Sequence, residues 1–253
     1  MKRNEIVLEV ENLNKTYLTP ESTVQALKDV SFKLFKGEMI AVMGTSGSGK
    51  STLLNILGAL DNPSSGSVII NGVRSKEMFI EPNATDYRRN NIGFIFQSFN
   101  LLKDLSVEEN IALPLILKNE KNSDINFKVS NILQLMGLSK WKNHRPVQLS
   151  GGQQQRVAIG RAIITHPPIV LADELTGNLD FNTSAEILNV LVDMKNRFNQ
   201  SIVLVTHDPL VATYADRVLF FHDGKMINEY SCTGVNDIDA IMNKFQGILG
   251  KKL

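Results

Sequence analysis

A chain of 253 residues, 43% hydrophobic and 21% charged, has enough apolar material for one large α/β domain or for a core with a subdomain. Its 27 basic residues against 26 acidic ones leave a net charge of +1, which excludes a nucleic-acid binder driven by bulk electrostatics. The single cysteine, Cys232, excludes an internal disulfide, and the longest apolar run, Ile111 to Leu117, holds Pro114 and falls well short of the roughly 20 residues that span a bilayer.

The start, Met1 to Glu5, leads directly into Ile6–Val10, which reads as a strand, and no secretory leader is expected. Glu38 to Val42 reads as a strand running into a glycine-rich loop. Lys50 to Leu60 reads as a helix, stopped by Asp61-Asn62-Pro63 and the turn Ser64-Ser65-Gly66. Strands follow at Ser67–Asn71 and Ile92–Phe96. The pattern then turns helical, over Val107–Leu117, Phe127–Met136 and Gly152–His166. Strands return at Ile169–Leu171, Ile202–Thr206 and Arg217–Phe221. Asp237 to Leu249 reads as an amphipathic helix with Ile238, Ile241, Met242, Phe245, Ile248 and Leu249 on one face. This alternation predicts a largely parallel sheet covered by helices, with a helical subdomain inserted at about 98–165. The sheet core is expected at about 1–97 and 166–230, and the terminal helix at about 237–249.

Two strings carry chemistry. Gly44-Thr45-Ser46-Gly47-Ser48-Gly49-Lys50-Ser51 fits G-x-x-x-x-G-K-[ST] between a predicted strand and a predicted helix, the context a phosphate-binding loop requires. Its glycines let backbone N–H groups turn toward phosphates, the helix N-terminus adds partial positive charge, and Lys50 adds a full one. The Ser51 hydroxyl is a candidate Mg²⁺ ligand. Ile169-Val170-Leu171-Ala172 ends in Asp173-Glu174. Adjacent strand residues face opposite ways, so Asp173 can serve a metal while Glu174 faces an attacking water as general base. The four histidines have no metal-ligand spacing.

At Leu149-Ser150-Gly151-Gly152-Gln153 the chain resembles the ATP-binding subunits of ABC transporters, from about Val7 to Gly224. The resemblance implies a P-loop NTPase of ABC type: a mixed, mostly parallel sheet core, the inserted helical subdomain and a small N-terminal antiparallel β region. It implies that two copies sandwich two ATP molecules head to tail. The phosphate loop with Thr52 would hold one end of each nucleotide, and Ser150, Gly151, Gly152 and Gln153 of the other copy would cap it. It further implies that Tyr17 stacks on adenine and that Gln97 links metal and water to the helical subdomain. Asp180, in Gly177-Asn178-Leu179-Asp180, would cross between protomers, and His207 would reach the γ-phosphate. The family usually has proline after the catalytic glutamate; Leu175 stands there instead and is expected to loosen the Glu174 backbone.

The stretches Phe94–Leu102, Gln148–Val157 and Gly177–Asp180 are similar to a branch containing macrolide-efflux, lipoprotein-releasing, bacitracin-type efflux and cell-division ATPases. The expectation is a Mg²⁺-dependent ATPase working at the cytoplasmic face of the cell membrane. Separate transmembrane permease subunits would dock near Gln97 and Ser98 to Leu105. No nucleic acid is expected. The alternatives are a regulatory or mechanosignalling ATPase that controls a membrane partner without transport, and a soluble DNA-maintenance or translation factor. The latter calls for tandem ATPase domains or a long coiled coil, and the sequence contains neither.

Overall fold

The computed structural model describes residues 5–18, 20 and 22–249; the leader-free start expected over residues 1–4 lies outside them. Two long antiparallel strands come first, β1 (Ile6–Leu18) and β2 (Thr23–Phe35). Next come β3 (Met39–Gly44), helix α1 (Lys50–Leu57), β4 (Ser65–Ile70) and the short β5 (Val73–Arg74). Helix α2 (Asn83–Asn91) leads into β6 (Ile92–Ile95), after which three helices follow with no strand between them: α3 (Val107–Leu117), α4 (Asn122–Leu135) and α5 (Gly151–Ile163). The chain returns through β7 (Ile169–Asp173), α6 (Phe181–Phe198), β8 (Ser201–Thr206) and α7 (Pro209–Ala212), then β9 (Arg217–His222), β10 (Lys225–Ser231) and α8 (Asp237–Leu249).

These strands make two sheets, an antiparallel one in the order β2-β1-β4-β5 and a six-stranded one in the order β10-β9-β3-β8-β7-β6. In the second, β9, β3, β8, β7 and β6 run parallel, and β10 closes one edge antiparallel to β9. Its central strands are buried on both faces, so they read as unbroken apolar runs. Side chains alternate between faces: Met39, Ala41 and Met43 join the core under α3–α8, whereas Ile40 and Val42 join the one formed with α1 and the antiparallel sheet.

The sequence reading contained no β5, α2, α7 or β10, and three further differences bear on the sheets and core. β1 runs on to Leu18, and β2 was not foreseen at all. Asn12 and Asp29 sit in the left-handed region (φ 45° and 49°), at register shifts that break the two-residue period by which a strand is read. α6 was also not foreseen. It buries Ile187, Leu188, Leu191 and Met194 at helical spacing, and Asp180 caps its start. On α8 Ile241 and Ile248 enter the core as expected, but Met242 is exposed and the Leu249 side chain lies outside the described residues. Among the described residues no helix is long and apolar enough to cross a membrane.

β6 and α5 meet backbone to backbone. A Cβ at Gly93 would stand 2.3 Å from Ala162 O and 3.0 Å from Pro167 Cγ. Gly93→Ala is therefore expected to cost about 1–3 kcal/mol of stability through overpacking. The check is thermal unfolding, where each kcal/mol lowers Tm by roughly 2–4 °C in a chain of this size. An unchanged Tm would mean that α5 can lift off β6 freely.

Candidate active site

The loop after β3 is shaped by close packing. Gly49 has φ 98° and caps α1, and a Cβ there would stand 2.4 Å from Ala26 O. Any other residue would therefore be strained and would also clash with β2. No side chain caps α1, which leaves the N–H groups of its first turn available to an anion. The loop is tied to the β9–β10 turn, since Gly224 N donates to Ser48 O at 3.1 Å, and Lys28 N on β2 donates to Gly224 O at 2.8 Å. Lys50 is 6% exposed, and its ammonium donates to Gly44 O and Thr45 O, both at 2.8 Å. Burial lowers its pKa, while the charges of Glu174 and Asp173 work in the opposite direction.

Facing the loop, β7 ends in Asp173 and turns at Glu174. Oδ1 of Asp173 is buried without a hydrogen-bond partner among the described residues. Burial and then the neighbouring Glu174 charge raise the Asp173 pKa, with Lys50 opposing. A buried carboxylate oxygen with no donor calls for a cation, a water or a proton to satisfy it. Glu174 has φ 41°, uncommon for a residue with a side chain. It is nonetheless held at both backbone ends: its N–H donates to Val205 O at 3.0 Å, and its C=O accepts from Gly177 N at 2.9 Å. Leu175, next in the chain, is 1% exposed in the core. The leucine side chain packs into the core where proline would constrain the turn by its ring. His207, just past β8, places Nδ1 3.0 Å from Glu174 Oε1.

A cavity of about 750 Å³ opens here. Of the predicted residues, Thr45, Ser46, Gly47, Gly49, Lys50, Ser51, Thr52, Glu174 and His207 line it. Gly44 and Ser48 are buried beneath the loop. Val24 to Ala26 of β2, the turn at Asp223–Gly224 and Phe245 of α8 line it too. Sequence reading missed these. Only the apolar face of α8 signalled a buried Phe245, and nothing local said which wall it would join.

The other predicted residues stand apart from this cavity. Ser150 to Gln153 are not in its wall. Ser150 caps α5 through a reciprocal pair: its Oγ accepts from Gln153 N at 3.4 Å, and Gln153 Oε1 accepts from Ser150 N at 2.9 Å. Asp180 spends its carboxylate on Thr183, accepting from its N–H at 3.1 Å and its hydroxyl at 2.6 Å. Gln97 O accepts from Asn178 Nδ2 at 3.0 Å, so the chain two residues past β6 is held against the segment following Glu174. Tyr17 lies outside the cavity wall at the end of β1, close enough to Thr52 for that hydroxyl to influence its titration.

The segment after Gln97 is strapped to α5. Arg161 donates to Asn100 O at 2.7 Å and to Phe99 O at 2.9 Å. Leu101 packs on the core, leaving Leu102, at 47% exposed, as the apolar residue of this segment that faces solvent. Beside the strap lies a groove of about 310 Å³ between α2, α3 and α5, lined in part by Arg88, Arg89, Leu113, Pro114 and Leu117.

A family model described as ABC transporter matches residues 27–177. The chain is 44% identical over 223 residues to the ABC transporter ATP-binding protein YxdL of Bacillus subtilis, covering 88% of this chain and 86% of that protein. It is 41% identical over 223 residues to the lipoprotein-releasing system ATP-binding protein LolD of Legionella pneumophila, covering 88% and 98%. Among solved structures, the dimeric structure of the ABC transporter cassette MJ0796, of Methanocaldococcus jannaschii, aligns with a TM-score of 0.82 at 40% identity, over 90% of this chain and 99% of that one. The same cassette is also known as a dimer in a post-hydrolysis state bound to ADP and Pi.

Proposed function

The chain belongs to the ABC transporter family as an ATP-binding subunit with ATPase chemistry, and from that premise we propose that two copies close head to tail on two ATP molecules. Their closure drives separate permease subunits at the cytoplasmic face of the cell membrane. The observation that carries this is the pairing of Glu174 with His207 at 3.0 Å above the Lys50 loop, in a cavity that the chain's own signature, Ser150 to Gln153, does not enter. One copy carries the groups assigned to attack, and a second copy would supply the cap.

Lys50, the α1 N-terminus and the loop amides bind the β- and γ-phosphates. The Glu174 carboxylate takes a proton from the attacking water as the water oxygen bonds to the γ-phosphorus and the β–γ bridging oxygen leaves with ADP. His207 keeps that carboxylate oriented and faces the γ-phosphate. The donors fit Mg²⁺: Asp173 has its orphaned oxygen and Ser51 an exposed hydroxyl, with Gln97 as the third protein donor implied by its motif. Among the described residues no group of three or more His, Cys, Asp or Glu could hold a metal by itself, so nucleotide phosphates would complete the set. When bound, Mg²⁺ offsets the charge that builds on those phosphates.

The helices within about 98–165 form the lobe that carries the signature, and the groove between α2, α3 and α5 suits a cytoplasmic helix of the permease. The proposed contact adjoins Ser98–Leu105, where Leu101 is engaged in the core and the Phe99 and Asn100 carbonyls accept from Arg161.

The test is complementation. A Lys50→Ala chain and a Gly151→Asp chain are each expected to be inactive. Mixed dimers hold one site with both defects and one with neither, so each mixed dimer should recover the activity of one intact site if each site turns over by itself. No recovery, with mixed dimers demonstrated by crosslinking, would contradict a signature acting across the dimer.

A further inference from the structure

We propose that Asp61 is a positioning residue for the nucleotide base: it pins the Tyr17 ring in place so that one face is kept open for adenine. This rests on the reading of Tyr17 as the base platform. The Tyr17 hydroxyl donates to Asp61 Oδ2 at 2.7 Å. Asp61 Oδ1 accepts from Lys15 Nζ at 2.5 Å and from Asn62 N at 2.7 Å, and Lys15 Nζ also donates to Asn62 O at 2.6 Å. The same ammonium lies 4.8 Å from the Tyr17 ring centroid and covers one ring face. Tyr17 is nevertheless 37% exposed, and the ammonium lies over only one face of its ring.

The protonation states agree with this wiring. Burial and the Asp61 carboxylate raise the Tyr17 pKa, which keeps the phenol a donor. Burial alone would raise Asp61, but hydrogen bonds from Lys15, Tyr17 and Asn62 N hold it below its ordinary value, which keeps it an acceptor. A half-exposed tyrosine without an anchor would give up rotamer freedom when the base arrives; here folding has already removed that freedom. Asp61 lies a few residues past α1, whose first turn carries Lys50, Ser51 and Thr52. The base end and the phosphate end of the site are thus both referenced to one helix.

The experiment is titration calorimetry of the full chain with ATP and, separately, with inorganic tripolyphosphate, which has no base. Tyr17→Ala is expected to weaken ATP about tenfold or more, the scale of a lost base–aromatic stack. Tyr17→Phe, which keeps the ring, and Asp61→Ala, which removes the acceptor, are each expected to weaken it about three- to fivefold, with the double variant no worse than Asp61→Ala alone, because both lose the Tyr17–Asp61 bond. Tripolyphosphate affinity stays within about twofold in all of them, since the phosphate contacts are intact. If Tyr17→Ala weakens ATP while Tyr17→Phe and Asp61→Ala bind it like the parent, the anchor is overturned and the platform stands. If Tyr17→Ala binds ATP like the parent, platform and anchor fall together. Parallel losses for ATP and tripolyphosphate would make the network structural and overturn the proposal.

Discussion

Replacing Glu174 by glutamine is expected to lower ATP turnover by about 10²–10⁴-fold, the contribution of a positioned general base, while ATP still binds. The amide is nearly isosteric with the carboxylate, and the backbone at 174 is fixed independently of the side chain by Val205 O, Gly177 N and buried Leu175. The glutamine should therefore occupy the same place, and its carbonyl oxygen can still meet His207 Nδ1. What it lacks is the basicity to take the proton of the attacking water. Phosphate release measures the loss, and gel filtration with ATP should show a dimer that no longer falls apart by hydrolysis. A glutamine variant that turns over at the parent rate would remove Glu174 from the role.

Lys50→Ala should act at the earlier step, weakening ATP by roughly ten- to hundredfold, as expected when a charge-assisted hydrogen bond is removed. The fold should not suffer in proportion. The Lys50 ammonium is buried against two carbonyls of its own loop, and burial lowers its pKa, so the charged form is held at a cost to stability. Alanine relieves that cost and leaves the two carbonyls to water or to the incoming ligand. Melting without nucleotide should be unchanged or slightly higher, while the rise in Tm that ATP gives the parent shrinks by mass action. The lowered pKa carries a second consequence for the parent. As pH rises through it, the ammonium is lost at a lower pH than for an ordinary lysine, and ATP affinity falls there. An alanine variant that matches the parent in ATP titration would refute the loop assignment.

The parts of this site legible in the sequence are those where one local pattern decides the structure. β3, the loop and α1 read correctly because a doubly buried strand, a glycine cluster and a helix start follow one another within a few residues. β7 and β8 read for the same reason, each running directly into the Asp173-Glu174 and His207 positions. β2 was hidden because the bulge at Asp29 shifts the alternation between Leu27 and Val30. α6 was hidden because Ile187-Leu188-Asn189-Val190-Leu191-Val192 is rich in β-branched residues. Tertiary burial of one helical face, with the cap from Asp180 and a left-handed Asn199 at its end, overrides that preference. The wall formed by Val24–Ala26, Asp223–Gly224 and Phe245 had no local signal, since it is assembled by contacts between segments far apart in the chain, from Val24 to Phe245. The anchor on Tyr17 was likewise invisible, because Asp61 reads as nothing more than a helix stop.

The guanidinium of Arg161 gives the segment behind Gln97 no slack. It clamps that segment to α5, the helix whose first residues are the signature, and Gly93 presses β6 onto the same helix. A displacement at Gln97 is therefore expected to reach Ser150 and Gly151 through α5. In a head-to-tail pair those residues belong to the opposite nucleotide, so occupancy at one cleft alters the grip at the other. Such a pair behaves as a cooperative machine: velocity against ATP concentration should be sigmoidal, with a Hill coefficient between one and two.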